Sequence, residues 1–155
     1  MRVLLDTTYL LPLIGVEAEG VSRDILALLK KEGHTPLISE ISVFELLAKG
    51  SKLAAKAVVP SERVSLAIQS LYKDESINRV SPENPSVVGY TIELRPHHSY
   101  TVHCVITASA LTEAESMPTE DKTLLNANTQ LRRAIRRIKP NLKITPSAHL
   151  PKHHP

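Results

Sequence analysis

The chain has 155 residues and a mass of 17.1 kDa, which is the size of one domain. Aromatic side chains make up only 3% of it, which argues against an aromatic stacking platform for single-stranded nucleic acid. The single cysteine, Cys104, excludes an intrachain disulfide and a cysteine-based zinc site. No apolar run approaches the ~20 residues of a membrane span, and Asp6 interrupts the first one. We therefore expect a cytoplasmic protein with no membrane partner.

The net charge of +3 is unevenly distributed along the chain. Residues 1–121 contain eleven basic and sixteen acidic side chains, whereas residues 122–155 contain eight basic side chains and no acidic one. The sequence therefore predicts an acidic body and a basic C-terminal segment. Such a segment is typical of proteins that bind a polyanion, although a solvated basic helix face has the same composition.

Short apolar runs alternate with helical patterns along the chain, and both kinds of element can be assigned from their periodicity. Predicted strands cover residues 3–5, 36–38, 77–80, 116–119 and 142–145. Predicted helices cover residues 9–14, 21–29, 41–50, 61–72, 84–95, 102–110 and 123–138. This alternation predicts an α/β fold, with a central parallel sheet of four to five short strands between two layers of helices. We expect residues 1–146 to form one domain and residues 147–155 a flexible C-terminal tail.

Two aspartates follow predicted strands. Asp6 comes at the end of the first strand, and Asp121 follows the fourth. Ligands of parallel α/β sheets gather at the carboxyl ends of the strands, so both carboxylates are candidate ligand groups. Each residue also suits a plainer role, as a helix cap or a turn residue.

A third carboxylate, Glu45, lies in the predicted helix 41–50. The apolar face assigned to that helix is made of Ile41, Phe44 and Ala48. Glu45 lies on or beside this face, where an ionised side chain is costly unless it is paired or bound to a metal. A partner Lys or Arg, or exposure at the edge of the face, would account for it equally well.

Clusters of carboxylates at strand ends bind Mg²⁺ or Mn²⁺, because these hard cations prefer oxygen ligands. A divalent ion generates hydroxide from water and stabilises charge on a phosphodiester under in-line attack. A nearby basic segment would hold the backbone of a nucleic acid. Together, Asp6, Glu45 and Asp121 therefore make a candidate metal-dependent nuclease site.

Four short segments, taken in order, resemble the PIN domain family of Mg²⁺- or Mn²⁺-dependent ribonucleases, which includes VapC-like toxins of toxin–antitoxin pairs. Residues 3–10 resemble its opening strand and Asp, residues 38–46 its helical acid, residues 103–110 its Asp-x-x-Ile-x-Ala-x-Ala helix, and residues 118–121 its Thr-x-Asp. The resemblance spans residues 2–146. It implies a PIN-like three-layer α/β/α sandwich, a Mg²⁺ or Mn²⁺ cofactor, and metal ligands at Asp6, Glu45 and Asp121.

One position departs from the pattern of the family. The third acid of the family, at the start of the Asp-x-x-Ile helix, is His103 in this chain. Neutral imidazole binds Mn²⁺ or Zn²⁺ but is a poor Mg²⁺ ligand. His103 is therefore either a metal ligand that alters metal preference or a polar residue of a degenerate site.

Other residues complete the candidate site. Thr8 offers a hydroxyl in the position that is often Ser or Thr in the family, or it caps a helix. Cys104 points away from His103 and is predicted to be a core thiol. Four arginines at helical spacing form a candidate phosphate-binding patch, Arg132, Arg133, Arg136 and Arg137. A solvated face, a dimer interface or a surface for an acidic antitoxin would use the same arginines.

The sequence supports three functions. The first is a metal-dependent endoribonuclease, of the kind that serves as the toxin of a toxin–antitoxin pair, with RNA as substrate, an antitoxin as partner and a homodimeric state. The second is a catalytically impaired RNA-binding or protein-interaction module, which the histidine at position 103 favours. The third is an interaction or structural domain with no nucleic-acid role.

Overall fold

The computed structural model describes residues 1–147 and contains a central five-stranded parallel sheet. Its spatial order is β3-β2-β1-β4-β5. The strands are β1 (Arg2–Leu5), β2 (Thr35–Ser39), β3 (Asn78–Val80), β4 (Ser116–Pro118) and β5 (Lys143–Thr145). The strands therefore lie within one or two residues of their predicted positions.

Helices cover both faces of the sheet, which confirms the predicted α/β/α fold class. They are α1 (Ile25–Lys31), α2 (Glu40–Ala55), α3 (Ser61–Lys73), α4 (Pro85–Leu94), α5 (Thr101–Glu113), α6 (Lys122–Leu125) and α7 (Gln130–Ile138). Two 3₁₀ helices cover Thr7–Ile14 and Arg95–His97. None of the helices within residues 1–147 has both the length and the hydrophobicity needed to cross a bilayer.

Alternate residues of β1 separate the core into two halves, as the strand period of two requires. Leu4 packs on one side with residues of α4, α5 and α7. Val3 and Leu5 pack on the other side with residues of the first 3₁₀ helix and of α1, α2 and α3. All three side chains are buried, which explains why β1 reads as a continuous apolar run.

The predicted apolar face of α2 is wrong. Phe44 is 65% exposed and Ala48 is also exposed, whereas the buried residues of this helix are Ser42, Val43, Leu46 and Gly50. The helix also continues past Gly50 to Ala55. Gly50 does not end the helix because it serves packing: a Cβ at this position would lie 2.6 Å from Val64 Cγ1 of α3. The glycine thus allows close approach of two helices.

The predicted helix 123–138 is two helices, α6 and α7. Asp121 caps α6 by accepting a hydrogen bond from the Thr123 amide at 2.8 Å, and Thr129 caps α7 by accepting one from the Arg132 amide at 3.2 Å. Local side-chain hydrogen bonds of this kind compete with a continuous helix, so the chain breaks between the two caps. Of the predicted tail, only Ser147 lies within the described residues, and its flexibility stays a prediction.

The strand order creates a crevice at the carboxyl edge of the sheet. β1 pairs with β2 on one side and with β4 on the other, so the chain segments that leave β1 and β4 diverge. Ligands of open parallel sheets bind at such topological switch points. The residues that follow β1, β2 and β4 therefore lie where a ligand site is expected.

The approach of α2 to α3 gives a prediction for two matched glycines. We expect Gly50→Ala to destabilise the protein by about 1–3 kcal/mol, because the added methyl overlaps Val64. Gly89, in α4, has open space around it, with no atom within 4 Å of where a Cβ would lie. Gly89→Ala should therefore gain up to about 1 kcal/mol from helix propensity. Urea unfolding of both variants measures the difference, and equal effects of the two substitutions would contradict the role of packing at Gly50.

A surface ion pair gives a pH-dependent prediction. Lys30 Nζ lies 2.6 Å from Asp74 Oδ2, and this hydrogen bond, with help from Ser76, lowers the pKa of Asp74 to about 2. A lowered carboxyl pKa stabilises the fold above the unfolded pKa of 3.8, and most of the gain is lost as pH falls to about 2. Since the pair is partly exposed, we expect Asp74→Asn to cost about 0.5–1 kcal/mol at pH 7.

The comparison is made by thermal unfolding at both ends of that pH range. The gap between wild type and Asp74→Asn should narrow as the pH is lowered toward 2. Glu75→Gln, at the exposed neighbouring position, is the matched control and should leave stability nearly unchanged. A gap that persists undiminished at low pH would show that the ion pair is not its source.

Candidate functional site

An open cleft of about 650 Å³ lies at the carboxyl edge of the sheet, beside the switch point. Five residues that the sequence singled out line it together: Asp6, Thr8, Glu45, His103 and Asp121. They come from the segments that follow β1 and β4, from α2 and from the first turn of α5. The topology thus brings together residues that are up to 115 positions apart in the chain.

Asp6 stands directly after β1 and caps the first 3₁₀ helix. Its Oδ1 accepts a hydrogen bond from the Thr8 amide at 2.8 Å, and its Oδ2 accepts one from Thr119 Oγ1 at 3.4 Å. Burial raises the pKa of the Asp6 carboxyl, and the nearby Glu45 carboxylate raises it further. Asp6 therefore has two roles, as a helix cap and as a residue of the cleft. Its buried surroundings disfavour the charged form of its carboxyl group.

Glu45 reaches the cleft from α2, and its side chain is 21% exposed. Lys49, one turn further on, lies 3.7 Å from Glu45 Oε1 and also lines the cleft. The cationic partner that the sequence left open for Glu45 is therefore Lys49. The contact between them is long, and Lys49 is half-exposed. Glu45 and Lys49 therefore both line the cleft while they are in contact with each other.

Thr119 ties the two strand-end aspartates together. Its fully buried hydroxyl donates to Asp6 Oδ2 and accepts the Asp121 amide at 3.1 Å. Because β1 and β4 are adjacent in the sheet, one short side chain spans the gap between them. This hydroxyl fixes the relative positions of the Asp6 and Asp121 carboxylates. The sequence of residues 118–121 did not indicate this role for Thr119.

Asp121 forms the most heavily bonded part of the site. Its Oδ1 accepts the Thr123 amide, and its Oδ2 lies 2.8 Å from His98 Nε2 and 3.2 Å from His103 Nδ1. Burial alone would raise the pKa of Asp121, but the hydrogen bonds from His98, Thr123 and His103 outweigh it and lower that pKa. The surroundings of Asp121 therefore favour its ionised form, whereas the pKa of Asp6 moves in the opposite direction.

The hydrogen bonds assign the tautomer of His98. The Tyr100 amide donates to His98 Nδ1 at 3.1 Å, so that nitrogen carries a lone pair and the proton lies on Nε2. His98 Nε2–H then donates to Asp121 Oδ2. His103 Nδ1 faces the same carboxylate oxygen, which accepts hydrogen bonds, so this nitrogen also carries a proton. His98 is nearly buried, at 7% side-chain exposure, whereas His103 is 43% exposed.

Nine further residues line the cleft that the sequence did not indicate as site residues, among them Lys49, Arg95, His98 and Tyr100. Arg95 donates to the Thr101 hydroxyl at 3.0 Å and to the His98 carbonyl at 2.9 Å, and so shapes the turn that carries His98. A signal was present in the run from Arg95 to Tyr100, in which polar and aromatic side chains interrupt two helices around a proline. Such a run between helices is a surface loop that can carry a site.

The four arginines of α7 do not line the cleft. Arg133 and Arg136 are exposed, Arg137 lies 3.3 Å from Glu93, and Arg132 is partly buried with a lowered pKa caused by that burial. Apolar residues of the same helix pack into the core, namely Leu131, Ala134 and Ile135. The helix is amphipathic as expected, and contact between its arginines and RNA stays a prediction.

Two remaining predictions concern single side chains. Cys104 is buried, at 1% exposure, and packs in the core cluster with α4, α5 and α7, as the sequence indicated. Thr8 lines the cleft while its amide takes part in the Asp6 cap, so both roles left open for this residue are compatible.

The donor set suits a divalent cation. Asp6, Glu45 and Asp121 line the same cleft, and oxygen donors of this kind are what Mg²⁺ and Mn²⁺ prefer. Within residues 1–147, however, the potential ligand atoms that lie within 4.8 Å of one another belong to His98, His103 and Asp121, and not to the three carboxylates. Burial raises the pKa of Asp6, and a cation nearby would stabilise its charged form. The imidazole of His103 adds a nitrogen donor, which favours Mn²⁺ over Mg²⁺.

Comparison with known proteins shows the fold. No family model and no curated protein sequence matches the chain. The structure of VapBC2 from Rickettsia felis, bound to a DNA fragment from its promoter, matches with a TM-score of 0.63 and 20% identity, over 94% of this chain and 98% of that one. FitAcB from Neisseria gonorrhoeae matches with a TM-score of 0.53 and 15% identity, over 96% of this chain and 99% of that one.

These findings correct the assignment to the PIN domain family. The four short segments resemble that family, yet no family model matches the chain, and these two similar structures share at most 20% of its residues. The comparisons establish a fold held in common with VapBC2 and FitAcB and do not confirm the family. Short motifs at strand ends follow partly from the fold itself, because the same edge of a parallel sheet calls for the same caps and turns.

The buried charge of Asp6 gives a prediction for the metal-free protein. With a chelator present at pH 7, we expect Asp6→Asn to raise the melting temperature by about 2–4 °C, because the substitution removes an unfavourably placed charge and keeps the cap acceptor for the Thr8 amide. Asp24→Asn, at an exposed aspartate, is the control and should change little. A lower melting temperature for Asp6→Asn would mean that the carboxylate is well solvated.

Proposed function

We propose that the protein is a metal-dependent endoribonuclease that cleaves RNA phosphodiester bonds with metal-activated water. The observation that carries this proposal is that Asp6, Glu45, Asp121 and His103 line one open cleft at the switch point of the sheet. The cleft is wide and polar, as a site for a chain-like phosphodiester must be, and it opens to solvent beside two cations, Lys49 and Arg95.

The residues of the cleft take different roles according to their surroundings. Asp6, Glu45 and Asp121 would hold Mg²⁺ or Mn²⁺, with His103 as a nitrogen donor at the rim. The ion supplies Lewis acidity and lowers the pKa of a bound water. Thr119 holds Asp6 and Asp121 in fixed relative positions through its hydroxyl. Lys49 and Arg95, which line the same cleft, would neutralise the phosphates that flank the scissile bond.

The proposed biological setting is a toxin–antitoxin pair, with this chain as the toxin. The shared fold with VapBC2 and FitAcB supports it, and VapBC2 was solved bound to promoter DNA. The exposed arginines Arg133 and Arg136 offer a surface for RNA or for an acidic segment of an antitoxin. A homodimer belongs to the same proposal.

The proposal is tested by titrating Mg²⁺ and Mn²⁺ against RNA cleavage, with a chelator as the metal-free reference. We expect cleavage only with metal, with Mn²⁺ more effective than Mg²⁺, because one donor is an imidazole. Asp6→Asn and Glu45→Gln should each reduce the rate by about 100-fold or more, since each removes a charged metal ligand.

Glu62→Gln is the matched control, because Glu62 is an exposed helical glutamate on α3, outside the cleft. It should retain the wild-type rate. Metal-dependent cleavage that survives both Asp6→Asn and Glu45→Gln would show that the activity arises elsewhere. No cleavage under any metal condition would reject the nuclease.

A second function is favoured by one observation, the engagement of His103 with Asp121. If this contact withholds both groups from the metal, the protein is a catalytically impaired module that binds RNA or a protein partner. His103→Asp then distinguishes the two functions. A wild type that binds RNA without cleaving it and gains Mg²⁺-dependent cleavage on His103→Asp would support the impaired module. Mn²⁺-dependent cleavage by the wild type itself, with Mg²⁺ becoming effective in His103→Asp, would support the nuclease.

A further inference from the structure

Two histidines and one aspartate converge on a single point at the β4 side of the cleft. His98 Nε2 and His103 Nδ1 lie 2.8 and 3.2 Å from the same oxygen, Asp121 Oδ2, and the three donor atoms all lie within 4.8 Å of one another. Ligand atoms about 2.1 Å from a common metal ion are separated by roughly 3.0–3.4 Å. The two distances from Asp121 Oδ2 to the imidazole nitrogens therefore lie near the separation that a shared ion requires.

We propose that His98, His103 and Asp121 form a binding site for a divalent transition-metal ion of the Zn²⁺ or Co²⁺ class, which does not accept Mg²⁺. Two imidazole nitrogens and one carboxylate oxygen are a donor set that Zn²⁺, Co²⁺ and related borderline ions prefer, whereas Mg²⁺ requires oxygen. His98 is the new member, because neither the motif pattern nor the proposed nuclease cluster includes it.

The site is built rather than incidental. His98 is nearly buried and held by the Tyr100 amide, and the turn that carries it is held by Arg95 through the His98 carbonyl. Asp121 is fixed from its other oxygen by the Thr123 amide. In such sites the outer hydrogen bonds orient the ligands, and here they come from two separate loops.

Binding changes the positions of the protons in a defined way. The protons on His98 Nε2 and His103 Nδ1 both point at Asp121, and an ion at that position replaces them. His98 then carries its proton on Nδ1, which accepts the Tyr100 amide in the unliganded state, so that hydrogen bond is lost. The Tyr100 amide that loses this hydrogen bond belongs to an exposed segment, Ser99 and Tyr100, where water can replace the lost acceptor.

The test is Co²⁺ binding, read from the visible absorption bands of the ion without any RNA. Residues 149, 153 and 154 are also histidines, so the parent chain for every variant carries His149→Ser, His153→Ser and His154→Ser. We expect one Co²⁺ per chain, displaced by Zn²⁺. Excess Mg²⁺ should not displace it when Asp6→Asn and Glu45→Gln are also present, because the proposed nuclease site then cannot compete for Asp121 and His103. His98→Gln should weaken Co²⁺ binding at least about tenfold.

His97→Gln is the matched control, because His97 lines the same cleft and lies outside the three-residue cluster. It should leave Co²⁺ affinity within about twofold of the parent, since it removes no ligand. His103→Gln, at an exposed ring, is a second variant in case the nearly buried His98 position does not tolerate substitution. With Zn²⁺ as a diamagnetic probe, the Tyr100 amide resonance should shift.

The outcomes separate this site from the proposed nuclease. Co²⁺ affinity unchanged by both His98→Gln and His103→Gln would overturn the transition-metal site whatever the result with RNA. Displacement of Co²⁺ by Mg²⁺ would do the same in a chain that also carries Asp6→Asn and Glu45→Gln, where the proposed nuclease site cannot compete for Asp121 and His103. Co²⁺ binding that depends on these histidines, in a chain that cleaves no RNA with any metal, would support the site and reject the nuclease.

Discussion

The structure depends on one constraint, the parallel pairing of β1 between β2 and β4. This pairing makes β1 a buried strand and places its carboxyl end between two diverging chain segments. A buried strand end leaves its next residue, Asp6, in a half-enclosed position, where burial raises the pKa of its carboxyl. The same constraint places Thr119 within reach of that carboxyl across the gap. The positions of Asp6 and Thr119 in the cleft therefore follow from the pairing of β1 between β2 and β4.

Strands and their polar ends were predictable because both follow from short-range patterns. A three-residue apolar run ending in Asp6 indicates a buried strand and its edge without knowledge of its neighbours. The apolar face of α2 was not predictable in the same way, because Phe44 is exposed and small residues such as Ser42 and Gly50 pack inside. The buried face of α2 depends on how closely α2 approaches α3, and this approach requires Gly50 opposite Val64. The residue pattern of α2 alone carries no information about the distance to a second helix.

The site shows the same division between local and long-range information. Asp6 and Asp121 could be found because each follows a strand that a short-range pattern indicates. Glu45 lies on a correctly predicted helix, although the apolar face that drew attention to it is wrong. His103 was found only through the resemblance of residues 103–110 to a family motif. His98 could not, because its role depends on the Tyr100 amide on one side and on Asp121, 23 residues away, on the other. Lys49 was left as an unnamed cationic partner of Glu45 and became specific only with the helix in place.

The charges of the cleft explain how its residues remain together without a cation. Three carboxylates in one cleft repel one another, and their repulsion must be offset. The offset is unequal: Asp121 receives hydrogen bonds from two imidazoles and an amide, which lower its pKa, whereas Asp6 receives weaker help and its pKa rises. The β4 side of the cleft is thus satisfied by protons that an ion can replace, and the β1 side is left short of positive charge. For the proposed metal sites, the groups that would gain most from a cation lie beside Asp6, while the nitrogen donors lie beside Asp121. The two strand ends therefore differ in the kind of cation that each would favour, although both carry an aspartate.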